Sequence, residues 1–384
     1  REIPAIKLQH TYKALVIDDE PINLQVVANH LRLAGIQVQT ALSGSDGLLK
    51  IQLNKPDIIL LDIMMPKMNG YEVASQVRQM FAPNELPIIV LTGKDRPADL
   101  QDSFSSGAND FLTKPFDSAE LMARVKTHLD LKRAAESQAQ FSVFQSELLR
   151  ARQIQKAVLP DTVPQITGLS IAANYLPMNM VGGDFYDFAV YDNGDLGVLI
   201  ADVSGHGIPA AMIVSMLKMA FTFATQATRN PAELLTQLNT ILTGHLRGEF
   251  ITASFLYFDN QNRQLKIARA GHPPVIISNR NSNQLDFIHP TGSIIGLFDE
   301  YLIQEEVVTL ESADRIILYT DGVFEAYNQE SGEYGEDRFS ESIQHSSEIT
   351  ATAFAQKIID DIADWSGGQD KIGDDVAVVV IDVN

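Results

Sequence analysis

Cysteine is absent from all 384 residues. That excludes disulfide stapling, thiolate metal sites and a catalytic thiol, and it suits a reducing compartment. Basic residues are scarce: 29 Lys and Arg stand against 49 Asp and Glu, for a formal charge of −20. The deficit is local. Residues 1–130 hold 13 bases and 16 acids, residues 131–159 hold 5 and 2, and residues 160–384 hold 11 and 31. A last segment so short of bases has no surplus with which to displace counterions from phosphate backbones, so nucleic acid is not an expected partner. Long apolar runs are also missing. The most apolar, Ile208 to Ala224, is broken by Lys218 and carries Pro209 in its first turn, so it reads as a buried core helix rather than a membrane span. The chain opens on Arg1 without a basic-then-apolar leader, and a cytoplasmic location is expected. The lack of an initiator Met points to a longer or processed N-terminus.

What is present is globular: 45% apolar and 20% charged residues, over a length that suits two or three cores. After an extension of residues 1–11, residues 12–130 alternate β-branched apolar runs with amphipathic stretches. Strands are expected at Ala14–Ile17, Gln37–Thr40, Ile58–Leu61, Ile88–Leu91 and Asp110–Leu112. Helices are expected at Pro21–Leu33, Ser45–Leu53, Tyr71–Gln79 and Pro97–Ser106. This alternation predicts a doubly wound parallel sheet, whose ligands gather at the carboxyl ends of the strands. Asp18 and Asp19 follow the first strand, Asp62 the third, Thr92 the fourth and Lys114 the fifth. Three converging carboxylates repel one another unless a cation joins them, and such hard oxygen ligands suit Mg²⁺. Lys114 and the Thr92 hydroxyl would then face phosphoryl oxygens. Taken singly, each acid also reads as a solvated strand-end residue.

Asp117 is a helix N-cap with Glu120 three residues on, and no Pro or Gly follows until Pro160. Helix therefore continues through a linker, residues 131–159. There Phe141, Phe144, Leu148, Ala151, Gln155 and Val158 recur at spacings of three and four. That is a seam either for a second copy in a coiled-coil dimer or for packing on the next domain.

Residues 160–384 change to short strands joined by polar turns, with helices at Ile208–Ala224, Pro231–Leu242 and Ala351–Trp365, which predicts an α+β architecture of antiparallel sheets. Acids beside glycine stand at strand edges: Asp184 in Gly182-Gly183-Asp184, Asp202 ahead of Ser204-Gly205-His206-Gly207, Asp321 before Gly322, and Asp374-Asp375 after Gly373. Between Lys156 and Lys218 there is no Lys or Arg, so Asp184, Asp187 and Asp202 lack a nearby basic partner. Divalent cations are the natural way to neutralise such a pocket. His206 and His272 read as turn residues, with His206 also placed to act as an accessory acid. Met178, Met180, Met212, Met216 and Met219 read as core filler, and Tyr186 and Phe188 as core.

Residues 12–130 resemble the CheY-like receiver domain of bacterial response regulators, through Asp18-Asp19, Asp62, Thr92 and Lys114-Pro115. The resemblance implies that Asp62 accepts a phosphoryl group from a sensor histidine kinase or phosphotransfer protein. It also implies that Asp18, Asp19, Asp62 and the Met64 carbonyl hold Mg²⁺, that Thr92 and Phe111 form the switch pair beside Lys114, and that the Lys114-Pro115 peptide is cis. The last segment resembles the PPM-type metal-dependent protein phosphatases of the stage II sporulation protein E branch. The motifs run from Ala151–Gln155 (ARQIQ) through Val181–Phe188 (VGGDFYDF), Ile200–Met212 (IADVSGHGIPAAM), Ala270–Pro274 (AGHPP) and Tyr319–Ala326 (YTDGVFEA) to Gly373–Val376 (GDDV). This implies an antiparallel β-sandwich flanked by helices and two Mn²⁺ or Mg²⁺ ions. Asp202, Asp321 and Asp374 would hold one ion; Asp184, Asp202 and the Val203 carbonyl would hold the other, with Asp375 accessory. The implied reaction is hydrolysis of phosphoserine or phosphothreonine on a protein such as an anti-sigma-factor antagonist, switched through Asp62. The alternative is a phosphatase-fold module that only captures a partner. Two departures stand out. Many family members outside this branch carry an Arg ahead of the first acid, which is missing here and implies reliance on protein docking, and Ala377 stands where Thr is common.

Overall fold

The computed structural model describes residues 12–93, 106–178, 180–298 and 301–384. The helix expected at Pro97–Ser106 falls largely outside these. The chain divides into two compact units, Arg1–Gln145 and Ser146–Asn384.

The first unit is a five-stranded parallel sheet. Its strands are β1 (Lys13–Ile17), β2 (Gln37–Ala41), β3 (Ile58–Asp62), β4 (Ile88–Thr92) and β5 (Asp110–Thr113), in the order β2-β1-β3-β4-β5. The central strands β3 and β4 are buried at every residue, as expected of a sheet covered on both faces. On one face α1 (Pro21–Leu33) contributes Leu24, Val27 and Leu31; on the other, α2 (Gly44–Leu53) and α3 (Gly70–Met80) contribute Ile51, Val73 and Val77. Local signals set the helix starts. Pro21 opens α1 with its φ already helical, Ser43 accepts the Asp46 N–H, and Asn69 with Glu72 forms a complete capping box on α3.

Helix α4 runs unbroken from Ser118 to Lys156, 39 residues, after Asp117 Oδ1 accepts the Glu120 N–H at 2.7 Å. Leu121, Met122, Val125 and Leu129 face the α1 side of the sheet. Lys132 is buried with its ammonium on Asp57 at 2.6 Å. The seam expected farther along divides. Phe141 and Phe144 are exposed, Leu148 and Ala151 are half-buried, and Gln155 is buried in the second unit, where Val158 joins a core cluster. Gln155 is therefore not available to a partner helix.

The second unit is a sandwich of two five-stranded antiparallel sheets. One holds β7 (Asp184–Val190), β8 (Leu196–Val203), β9 (Ile251–Asp259), β10 (Gln264–Ala270) and β13 (Glu305–Thr309). The other holds β6 (Leu169–Leu176), β11 (Val275–Asn279), β12 (Gln284–Ile288), β14 (Asp314–Tyr319) and β17 (Val376–Val383), while β15 (Tyr327–Asn328) and β16 (Gly332–Glu333) pair as a short ribbon. Side chains of alternating register fill the space between them, Val198, Ile200, Leu256 and Ile267 from the first sheet meeting Ile277, Ile316, Leu318 and Val379 from the second. Helices α5 (Ile208–Ala227) and α6 (Pro231–Leu242) cover the outer face of the first sheet. Helices α7 (Gly335–Gln344) and α8 (Ala351–Ser366) cover that of the second. The Arg315 guanidinium, buried between Asp382 and the Ser346 and Ile349 carbonyls, fastens the second sheet to the start of α8.

Several expectations need correction. Met212 and Met219 are more than half exposed, and Met178 and Met216 are also exposed. Helix α5 is long and apolar enough to cross a membrane by composition, but its inward stripe of Ala210, Val214, Leu217, Phe221 and Ala224 is buried in the domain core. Met212, Met216 and Met219 lie on its other face. Tyr186 is buried and Phe188 partly so, both against the inter-sheet core.

Candidate functional site

At the carboxyl end of the parallel sheet, Asp18, Asp19 and Asp62 each bring a carboxylate oxygen within 4.8 Å of the others, the only such triad among the described residues. Asp18 is buried at the end of β1, where its Oδ1 accepts the Glu20 N–H at 2.9 Å and the Asn23 amide at 3.2 Å. Lys114 bridges the acids, with Nζ 2.8 Å from both Asp18 Oδ2 and Asp62 Oδ1. Burial pushes the Asp62 carboxyl above its ordinary value, and Lys114 opposes it. Burial would lower Lys114, but its two carboxylates outweigh it and hold the ammonium above the ordinary value. Thr92 is buried at the end of β4, where its carbonyl accepts the Lys114 N–H at 2.7 Å. Phe111 is half-buried in β5, the Lys114-Pro115 peptide is cis, and the Met64 side chain faces solvent two residues past Asp62. Oxygen donors with one cation beside them fit Mg²⁺.

In the second unit, the acids come to one end of the sandwich by strand register. Asp184 and Asp202 are cross-strand partners in β7 and β8. From the opposite sheet, Asp321 opens the turn after β14, and Asp374 leads into β17, the strand paired with β14. Thr320 joins the two sheets, its buried hydroxyl donating to Asp184 Oδ2 at 2.6 Å while accepting the Ala377 N–H at 2.9 Å.

Electrostatics shows how closely these acids interact. Asp184, wholly buried, is held well above its ordinary value by burial and then by Asp202. Burial, together with Asp321 and Asp374, pushes Asp202 to about 7. Burial also raises Asp321 and Asp374, and the latter feels Asp321 and Asp375 as well, with the exposed His206 opposing them. Among the described residues, none of the four is in an ion pair. Their carboxylates do not form a triad as tight as the receiver's. A set of mutually repelling oxygen donors with no cation of its own fits divalent metal ions.

The neighbours of the acids have distinct parts. Both oxygens of Asp375 are taken by backbone, Met178 N–H at 2.7 Å and Gly183 N–H at 2.6 Å, so it holds the loop ahead of Asp184. Gly322 has no room for a side chain, since a Cβ there would lie 1.9 Å from the Asp375 carbonyl. Val203 is buried and its N–H bonds to the Gly183 carbonyl at 3.2 Å. Asp187 stands apart from the cluster and pairs with Lys218 of α5 at 2.6 Å, the partner that the local sequence lacks. His272 is buried against the Thr252 hydroxyl at 2.8 Å, and Thr252 is the cross-strand partner of Asp202. Sequence reasoning missed Thr320 and the bonding of Gln155. The only signal for the first was a hydroxyl ending an apolar strand just before Asp321.

The model of the stage II sporulation protein E family matches residues 192–384, half of the chain. The chain belongs to that family. The response regulator receiver domain matches residues 14–126, so a receiver is fused to a PPM-type phosphatase domain. Among curated relatives, phosphoserine phosphatase RsbU of Bacillus subtilis is 32% identical over 181 residues, 47% of this chain and 54% of that protein. The DNA-binding dual master transcriptional regulator RpaA of Synechocystis is 41% identical over 118 residues, 30% of this chain and 48% of that protein. The chain thus spans about half the length of the curated relatives it matches. Of solved structures, the SiaA-PP2C domain of Pseudomonas aeruginosa superposes with a TM-score of 0.57 at 23% identity, covering 64% of this chain and 99% of that one. That likeness speaks to fold alone, and it matches a sandwich with helices on both outer faces.

Proposed function

We propose that this chain is a response regulator whose output is metal-dependent hydrolysis of phosphoserine or phosphothreonine on a protein, controlled by phosphorylation of Asp62. The observation that carries the reading is the convergence of Asp184, Asp202, Asp321 and Asp374, brought from two sheets to one end of the sandwich with no ion pair to any of them among the described residues. Asp202, Asp321 and Asp374 would hold one Mn²⁺ or Mg²⁺, and Asp184, Asp202 and the Val203 carbonyl the second. Bound there, the ions would neutralise the acids and supply Lewis acidity toward a phosphoryl oxygen.

The chain's own residues prepare that site. Thr320 occupies one oxygen of Asp184 and leaves the other for an ion. Asp202, coupled to acids of both sheets, is placed to serve both ions. No basic side chain lies between Lys156 and Lys218 to grip a phosphate, so affinity for substrate rests on protein–protein docking and small phosphate esters are poor substrates. The name of the RsbU relative supports phosphoserine, and an anti-sigma-factor antagonist is the substrate proposed.

In the receiver, Asp18, Asp19, Asp62 and the Met64 carbonyl would hold Mg²⁺. Asp62 takes the phosphoryl group of a histidine kinase or phosphotransfer protein on a carboxylate oxygen, Lys114 supplies positive charge beside it, and Thr92 and Phe111 report the change. Exposed Phe141 and Phe144 are the proposed homodimer contact on α4. The protein acts in the cytoplasm, and its acidic phosphatase domain makes nucleic acid an unsuitable partner.

Phosphate release from a serine-phosphorylated protein in Mn²⁺, with and without beryllofluoride on the receiver, tests this reading. A change of rate with beryllofluoride that Asp62→Asn abolishes is expected. No release under any condition, with retained binding of the phosphoprotein, supports a capture module instead.

A further inference from the structure

Asp184, Asp202 and Thr252 stand side by side across β7, β8 and β9, because Asp202 pairs with Asp184 on one side and with Thr252 on the other. Their side chains share the face of Tyr186, Val198, Ile200 and Leu256, which is turned to the opposite sheet. The acids of the cluster differ in what they accept. Asp184 takes the Thr320 hydroxyl, Asp374 takes the Asp375 N–H at 2.7 Å, and Asp321 is bonded by its own N–H and that of Gly322. Asp202 accepts no hydrogen bond among the described residues. A donor is nonetheless at hand. Side chains directly opposite on an antiparallel pair lie about 5 Å apart at Cβ, near enough for a Thr252 hydroxyl to reach the Asp202 carboxylate. That hydroxyl is turned to His272 instead, with Nδ1 2.8 Å from Thr252 Oγ1.

His272 is built into this place. It is buried, and Arg269 donates to its carbonyl at 2.6 Å. The residue before it, Gly271, turns the chain at φ 66° and bridges to Ala253, the neighbour of Thr252. A Cβ on Gly271 would lie 2.3 Å from the Ile294 side chain, so the turn is packed as well as bonded. The imidazole is thereby fixed beside Thr252. A hydroxyl that donates to a carboxylate occupies a lone pair that an ion would otherwise use. We propose that His272 is a positioning residue for the ion site, holding the Thr252 hydroxyl off Asp202 so that both oxygens of this carboxylate stay free for two ions. This rests on reading Asp202 as the shared ion ligand.

The test compares the full-length wild type with His272→Leu, His272→Asn and the double variant His272→Leu with Thr252→Val. Two quantities are read: the Mn²⁺ concentration giving half-maximal phosphate release from a serine-phosphorylated protein, and the Mn²⁺ dependence of thermal unfolding followed by Trp365, the chain's one tryptophan. His272→Leu frees the hydroxyl to turn to Asp202 and is expected to need about 10-fold more Mn²⁺ in both readouts. Adding Thr252→Val removes the hydroxyl and should bring the requirement back to within about 3-fold of wild type. His272→Asn, whose amide takes the place of Nδ1, should stay near wild type. If His272→Leu does not fold, His272→Gln, whose amide reaches past that place, stands in for it in the same comparison. An unchanged Mn²⁺ requirement in the single variant, or a double variant as impaired as the single one, overturns the proposal, because the imidazole would then serve packing alone. A wild type that Mn²⁺ stabilises but that releases no phosphate sinks only the phosphatase reading, and the unfolding comparison still decides the role of His272. A wild type that Mn²⁺ neither stabilises nor activates overturns both.

Discussion

Replacing Asp202 by Asn tests the carboxylate cluster from two sides. In the metal-free chain Asp202 is raised to about 7, chiefly by burial and by Asp321 and Asp374. Between its ordinary 3.8 and about 7, the folded state binds this proton and the unfolded state does not, so stability falls as pH rises through that window. Above it, the whole cost of holding the charge is present, about 4 kcal/mol at its ceiling. Asn has nearly the same shape and no charge. In EDTA at pH 8, Asp202→Asn should therefore be more stable than wild type by about 2–4 kcal/mol, and at pH 4 the difference should shrink toward zero. Urea unfolding read by Trp365 fluorescence suits the measurement, because that residue, edge to face with Tyr334 and covered by the Arg338 guanidinium, reports only the phosphatase unit. Manganese should reverse the order. At a hundred times its dissociation constant, an ion adds about 2.7 kcal/mol to wild type, and the variant should gain much less. A variant that is destabilised in EDTA and stabilised by Mn²⁺ as much as wild type refutes the reasoning.

Three further outcomes follow from the same geometry. Thr320→Val, which strips a donor from Asp184 and an acceptor from the Ala377 N–H, should weaken Mn²⁺ activation about 10- to 100-fold, while Thr320→Ser keeps it near wild type in a metal titration of phosphate release. Asp62→Asn should take up no phosphate from a small phosphoryl donor, read by a phosphate-affinity gel, whereas Asp57→Asn, just ahead of the other end of β3, should still be phosphorylated. His272, buried and pushed down to about 3, stays neutral in the fold while the unfolded chain takes up its proton below about 6.5. Stability should thus fall with acidification between those limits by up to about 1.4 kcal/mol per pH unit, and His272→Gln should remove that slope in urea titrations at successive pH values.

The receiver was legible because its strands are short, apolar and doubly covered, so each ends abruptly in the residue that matters. Asp62 follows four buried residues of β3, and Thr92 follows four of β4. The sandwich was legible in its central strands for the same reason. Two of the edge strands were not. Gln284–Ile288 and Glu305–Thr309 expose most of their residues and lack the apolar run by which a strand is read, and α7 is short and polar. The methionines of α5 misled because a helix apolar on all sides does not declare which side is covered. The supports around the acids were beyond reach for a different reason. Thr320 meets Asp184 across 136 positions, Gln155 meets Gly182 across 27, and Lys218 meets Asp187 across 31; such partners are set by tertiary packing, not by local pattern.

The central claim is that acids from two sheets share divalent ions to hydrolyse a phosphoprotein. Its most direct measurement is phosphate release from a serine-phosphorylated protein by wild type, Asp321→Asn and Asp374→Asn, each in Mn²⁺ and in EDTA. Wild type should release phosphate only in Mn²⁺, and each variant should be slower by at least about a hundredfold. Release that persists in EDTA, or that either variant matches, would contradict it.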